Sequence, residues 1–168
     1  MSNQTIQDIA SKHLGRTSDG KVMQAYVTPT EVDATLLVGV PRSFNREELS
    51  ITSDQFYGFD VWRGYEFTCL DMQGNPINGI VKVVYNSNTP NIIESKSMKL
   101  YWNSYTMAKF NSSYHNMFDD VIKQAQADLS KVAGGEVSVE IAPYGISHLG
   151  IDNINLDMNE WYPVSSFG

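Results

Sequence analysis

The sequence predicts an α+β domain in which an antiparallel sheet carries two helices on one face. Three observations support this. Residues 61–70 (VWRGYEFTCL) and 79–85 (GIVKVVY) are strand-like runs joined by the turn residues Asp71-Met72-Gln73-Gly74-Asn75-Pro76, which makes a hairpin. Two stretches of helical spacing follow, over residues 93–105 and 117–132. A further alternating run, residues 136–141 (EVSVEI), returns to the strand period. Strands, two helices and then strands again is the element order of helices segregated to one face of an antiparallel sheet.

The chain begins with a weakly amphipathic segment (Ile6, Ile9, His13, Leu14) and turn chemistry at Asp19-Gly20, so residues 1–30 are read as an extension and 31–168 as a single domain. Residues 36–41 (LLVGVP) are apolar and end in proline, which predicts a buried extended segment. Arg42 and Arg46 beside Glu47-Glu48 are read as surface pairs of little energetic weight. In the first hairpin strand, Tyr65, Phe67 and Cys69 alternate with Glu66, Thr68 and Leu70, giving two unlike faces, and Gly74 is available for a positive φ in the turn.

After the turn-like Asn88-Thr89-Pro90-Asn91 comes the most distinctive stretch of the chain. Glu94, Ser95, Lys96, Ser97 and Lys99 fall within six residues, and Leu100, Tyr101, Ser104 and Tyr105 continue at helical spacing. A twice-basic cluster at a helix start can bind an anion, because free N–H groups, the positive helix end and two ammonium groups converge there. The plainer reading is a solvated first turn capped by Ser95 or Ser97. In the second helix Phe118, Val121, Ile122, Ala125, Leu129 and Val132 form one stripe, and Gly134-Gly135 ends it. Residues 151–156 are read as one more strand.

Composition narrows the function. At 42% hydrophobic and 11% aromatic residues the 168-residue chain can bury a core, and nothing marks it as disordered. A net charge of −7 argues against nonspecific nucleic-acid binding, so a nucleobase partner would be a free small molecule. Cys69 is the only cysteine, which excludes an intrachain disulfide and a cysteine-cluster zinc site. No apolar run reaches membrane-spanning length and residues 1–15 are too polar for a signal peptide, so the chain is placed in the cytoplasm.

The stretch Asn91-Ile92-Ile93-Glu94-Ser95-Lys96-Ser97-Met98-Lys99-Leu100-Tyr101 resembles the signature of the NADPH-dependent 7-cyano-7-deazaguanine reductases, the nitrile reductases of queuosine biosynthesis. The similarity extends to residues 36–46 (LLVGVPRSFNR), Tyr57-Gly58-Phe59-Asp60-Val61-Trp62, Tyr65-Glu66-Phe67 and Asn103-Ser104-Tyr105, covering about residues 30–141. It is to the N-terminal half of the two-domain members, and residues 160–168 resemble the region joining the two halves. The resemblance implies a tunnelling fold, in which antiparallel sheets associate side by side into a barrel and build sites between units. It therefore implies an oligomer, of this chain or with a cysteine-bearing half. It also implies that Glu94, with Ile93 and Ser95, contacts the deazapurine substrate and that Ser95 and Lys96 contact NADPH. Lys99, one helical turn further on, is added on physical grounds as a cation able to meet a phosphate.

The family's chemistry needs a cysteine thiolate that adds to the nitrile carbon, an aspartate that donates a proton, and a glutamate and a histidine that hold the ring. Counting from Gln73-Gly74-Asn75-Pro76-Ile77 puts the nucleophile position at Leu70 and the aspartate position at Ile77. Cys69 is one residue away, and a one-residue shift in a strand turns a side chain to the other face, so Cys69 is expected to be a buried hydrophobe. Asn111 and Ser112 stand where the histidine and glutamate are expected, while His13, His115 and His148 have no assigned partner. No residue of this chain is therefore expected to be catalytic. Two readings remain: the signature-bearing half of a reductase whose cysteine comes from another domain or chain, or a catalytically silent binding or structural module that self-assembles. A third, a free-standing enzyme using Cys69, requires the opposite strand register.

Overall fold

The computed structural model describes residues 29–52, 57–111 and 118–143. Its strands are β1 (Gly39–Pro41), β2 (Phe59–Leu70), β3 (Pro76–Asn86), β4 (Asn91–Ile93) and β5 (Val137–Pro143). Its principal helices are α1 (Ser95–Ser104) and α2 (Asp119–Ala133), with a single helical turn at Ser43–Arg46. β2, β3 and β5 form one antiparallel sheet with β3 in the centre, and β1 and β4 form a separate antiparallel pair. The α+β class, the hairpin, both helices and the returning strand are thus as the residue pattern predicts. His13, Ser112, His115, His148 and the strand expected at 151–156 lie outside the described residues.

The hairpin turn is built by Asp71, whose carboxylate accepts from the Asn75 N–H at 2.8 Å and from its side-chain amide at 2.9 Å. These bonds lower the Asp71 pKa, and Gly74 takes the positive φ of 90° that the turn requires. One face of the sheet then supplies Phe67, Cys69, Val81, Val83, Tyr85, Val137 and Val139 to the core. Met98, Tyr101 and Tyr105 of α1 and its C-cap meet them, together with Val121, Ala125, Leu129 and Ala133 of α2 at four-residue intervals. Gly134 ends α2 in the left-handed conformation, at φ 75°, as its position predicts.

Three expectations need correction. Tyr65 does not share a face with Phe67 and Cys69: it is 60% exposed, because Gly64 pairs with Val81 but Phe67 pairs with Gly79, so β2 carries one extra residue between them. That bulge reverses the alternation, so Trp62 and Phe67 both turn toward the core. The 36–41 segment is not extended throughout. The Asp33 carboxylate accepts from the Thr35 N–H and hydroxyl, which winds Ala34–Leu36 into a 3₁₀ turn, and in this segment only Leu37 is buried. Among the described side chains Arg42 is not paired with Glu47. Its guanidinium bonds Asp60 and, through Nε, the Thr89 carbonyl at 2.9 Å, while Arg46 bonds the Ser87 carbonyl at 3.2 Å. Both arginines fasten the helical turn to the loop before β4, because residues 86–90 bring free carbonyls to the end of the sheet.

Candidate functional site

β4 leads directly into α1, and the junction is held from both sides. The Glu94 N–H donates to the Val38 carbonyl at 2.9 Å, the Val38 N–H donates to the Ser97 hydroxyl at 3.1 Å, and that hydroxyl donates to the Glu94 carbonyl at 2.8 Å. Ile93 is 1% exposed and donates its N–H to the Tyr85 hydroxyl at 3.1 Å. The start of α1 is therefore fixed by buried partners.

The cap of α1 is neither Ser95 nor Ser97. Glu94 takes that place, its carboxylate accepting from the Lys96 N–H at 2.9 Å and the Ser97 N–H at 2.6 Å. Its extended backbone, at ψ 132°, lets the longer side chain fold back over the helix end, where the positive end of the helix favours an anion. The free N–H groups expected at this junction are thus already taken by an internal carboxylate. Ser95, Lys96 and Lys99 are exposed, and among the described residues no carboxylate pairs with either ammonium group.

Five of these helix positions share one face. Ser95, Met98, Lys99, Trp102 and Asn103 line a groove of about 360 Å³ against β2, whose wall is formed by Trp62, Gly64 and Phe67. The bulge is what turns Trp62 and Phe67 onto the same side there, and a Cβ at Gly64 would come within 2.7 Å of a Val81 methyl. Phe67 and Trp102 meet edge to face with centroids 5.7 Å apart. The lining of the groove is mostly aromatic and apolar, and Arg63, Glu66, Ser95, Lys99 and Asn103 are its strongly polar members. Lys96 does not line it. Trp62, Trp102, Met98 and Asn103 are not among the site residues expected from the sequence. The spacing 95, 98, 99, 102, 103 would have revealed the α1 side, whereas Trp62 depends on the bulge, which has no sequence signal beyond Gly64.

Cys69 is fully buried opposite Ile77, and burial pushes its thiol up to about 11. Leu70 is half-buried on the other face, pairs with Pro76, and exchanges main-chain bonds with the 108–110 segment: its N–H donates to Ala108 and its carbonyl accepts from Phe110, both at 2.9 Å. Asn111 is exposed. Among the described residues no cluster of three or more His, Cys, Asp or Glu could hold a metal ion, and no helix is long and apolar enough to cross a membrane.

Comparison with known proteins places this geometry in context. A family model described as nitrile reductase, 7-cyano-7-deazaguanine-reductase N-term, matches residues 28–141. Among curated proteins the chain is 41% identical over 121 residues to an NADPH-dependent 7-cyano-7-deazaguanine reductase of Colwellia psychrerythraea, covering 71% of this chain and 40% of that one. Proteins of the same name from Rickettsia canadensis and Burkholderia cenocepacia are each 37% identical, over 140 and 134 residues. Those matches cover 78% and 79% of this chain, and 50% and 47% of the relatives. The chain thus spans about half the length of the curated relatives it matches, or less.

Proposed function

The chain belongs to the family of 7-cyano-7-deazaguanine reductase N-terminal domains, and on that premise we propose that it is the signature-bearing half of such a reductase, with the catalytic cysteine supplied by another domain or chain. One observation carries the proposal. The hairpin end that would hold nucleophile and acid presents Leu70 and Ile77, with Cys69 sealed in the core, while the signature segment forms a well-anchored helix start beside an open groove. A chain built this way binds and orients; it does not supply the nucleophile.

In this reading Ile93, Glu94 and Ser95 meet the deazapurine, and Ser95, Lys96 and Lys99 meet NADPH. The residues fit a dinucleotide: a groove walled by Trp62, Phe67 and Trp102 accepts a planar ring, and the ammonium groups of Lys96 and Lys99 are available to phosphate. Conversion of a nitrile to an amine takes four electrons, so NADPH, when bound, supplies one hydride in each of two rounds. This chain's residues orient the ring, exclude water from its faces and neutralise phosphate charge. For a ligand to use the carboxylate of Glu94, that carboxylate must share or give up the N–H groups of Lys96 and Ser97. The domain is taken as residues 31–168 with 1–30 as an extension, and the sheet as a tunnelling-fold unit that associates side by side with others through its edge strands, β2 and β5 among the described residues.

The test is NADPH oxidation with 7-cyano-7-deazaguanine, by the chain alone and after adding a cysteine-bearing half, with mass followed by light scattering. Turnover only in the mixture, and its loss in Lys96→Ala, is the expected result. Turnover by the chain alone would overturn the assignment. Silence in both, with a defined homo-oligomer, would favour a self-assembled binding module. That second reading has its own support, since Glu94 already satisfies the helix start without a ligand.

A further inference from the structure

We propose that Tyr85 is a positioning residue, its hydroxyl setting the Ile93 peptide so that the Ile93 carbonyl is presented to the heterocyclic substrate. The inference rests on the reading that residues 93–95 meet that substrate. Tyr85 lies on the core face of β3 and is 2% exposed. Its hydroxyl accepts two N–H groups, one from the Ile93 main chain at 3.1 Å and one from the Trp62 indole at 3.0 Å. A single buried oxygen thus joins the groove wall to the residue before Glu94.

The β1–β4 ladder shows what this does to Ile93. In an antiparallel pair, hydrogen-bonded and non-hydrogen-bonded positions alternate. Here the main-chain bonds run from the Glu94 N–H to Val38 and from the Arg42 N–H to Pro90, so Ile93, opposite Gly39, sits at a non-hydrogen-bonded position. Its N–H and carbonyl both point away from β1, and the N–H meets Tyr85. The side chain is buried and the N–H is taken, which leaves the carbonyl as the polar group Ile93 can offer. A purine-like ring edge carries N–H donors suited to such an acceptor.

Tyr85 is itself held. The Arg42 guanidinium lies 5.8 Å from its ring centroid and is anchored by Asp60 and Thr89. Burial also raises the tyrosine pKa, so the group stays a neutral hydroxyl.

Tyr85→Phe removes the hydroxyl and keeps the ring. In the mixture with a cysteine-bearing half, the expected result is a KM for 7-cyano-7-deazaguanine raised about tenfold, with kcat within about threefold of wild type. Amide hydrogen exchange at Ile93 should speed up in parallel. A hydroxyl with a merely structural role would lower the melting temperature and leave KM unchanged, and that outcome overturns the proposal. Should the variant fail to fold, the wild-type protein decides. In the ¹⁵N-labelled chain within the mixture, saturating 7-cyano-7-deazaguanine should shift the amide resonances of Ile93 and Glu94, the two peptides flanking that carbonyl. Binding without those shifts overturns the proposal. A silent wild-type mixture overturns the split-enzyme reading and this role with it, whereas an active mixture insensitive to Tyr85→Phe overturns this role alone.

Discussion

Cys69 shows how one side chain decides between readings of the molecule. Its thiol is raised from an ordinary 9.0 to about 11 by burial, so at neutral pH it is neither thiolate nor accessible. An aromatic disulfide reagent should therefore react with it only after denaturant unfolds the chain, and stoichiometric reaction in the native state would revive the free-standing enzyme. The same shift has a sign for stability. The folded state holds the thiol neutral while the unfolded chain ionises above its ordinary pKa, so this contribution is whole below pH 9.0 and is lost as pH rises toward about 11. Tyr101 and Tyr105, also raised chiefly by burial, push in the same direction at higher pH. Urea midpoints should fall through that alkaline window, and less steeply in Cys69→Ala. The fate of Cys69 was legible in the sequence because the count back from the Asp71 turn stops short of the bulge. The alternation that put Tyr65 on the face of Phe67 and Cys69 crosses it, and a one-residue insertion leaves no trace in the pattern of apolar residues.

At the scale of the element, α1 is a helix whose first turn is closed by the residue expected to meet substrate. Serine is a better intrinsic cap than glutamate, so propensity pointed at Ser95 or Ser97. Tertiary structure overrode it: the Ser97 hydroxyl is committed to Val38 and to the Glu94 carbonyl, and a carboxylate one position earlier reaches both remaining N–H groups. Glu94→Ala should therefore destabilise the isolated chain by about 1 kcal/mol, with Glu94→Gln closer to wild type because it keeps an acceptor. Equilibrium urea unfolding of the chain alone measures this without any ligand. The comparison also sorts activity data: a rate lost in Glu94→Gln, where the cap is largely kept, reports on the ligand contact itself. By contrast α2 was readable almost to its ends. Its stripe, its acidic first turn at Asp119 and Asp120 and its terminal Gly134 all agree with one another, and agreement between local signals is what makes an element legible.

At the scale of the molecule, the layers were legible and the edges were not. Period and turn chemistry predict a strand pair, two helices and a returning strand pair, of which the member at 151–156 lies outside the described residues, but β1 and β4 have three residues each, too few to show a period, so their separate pairing emerges only in three dimensions. Among the described residues β2, a strand of 12 residues, is bonded along one side only, to β3. Phe59 and Val61 along β2, and Tyr57 just before it, are exposed at 58%, 36% and 91%. Long strand edges with exposed apolar side chains recruit further strands. The chain should therefore run in light scattering at a multiple of its 18.8 kDa, or form a stoichiometric complex with a second sheet-bearing chain. Val61→Lys places a charge on that edge at an already exposed position, where the cost to folding is within about 0.5 kcal/mol. It should return the mass to 18.8 kDa with an unchanged urea midpoint for the monomer, and an oligomer that survives it would move the interface away from β2.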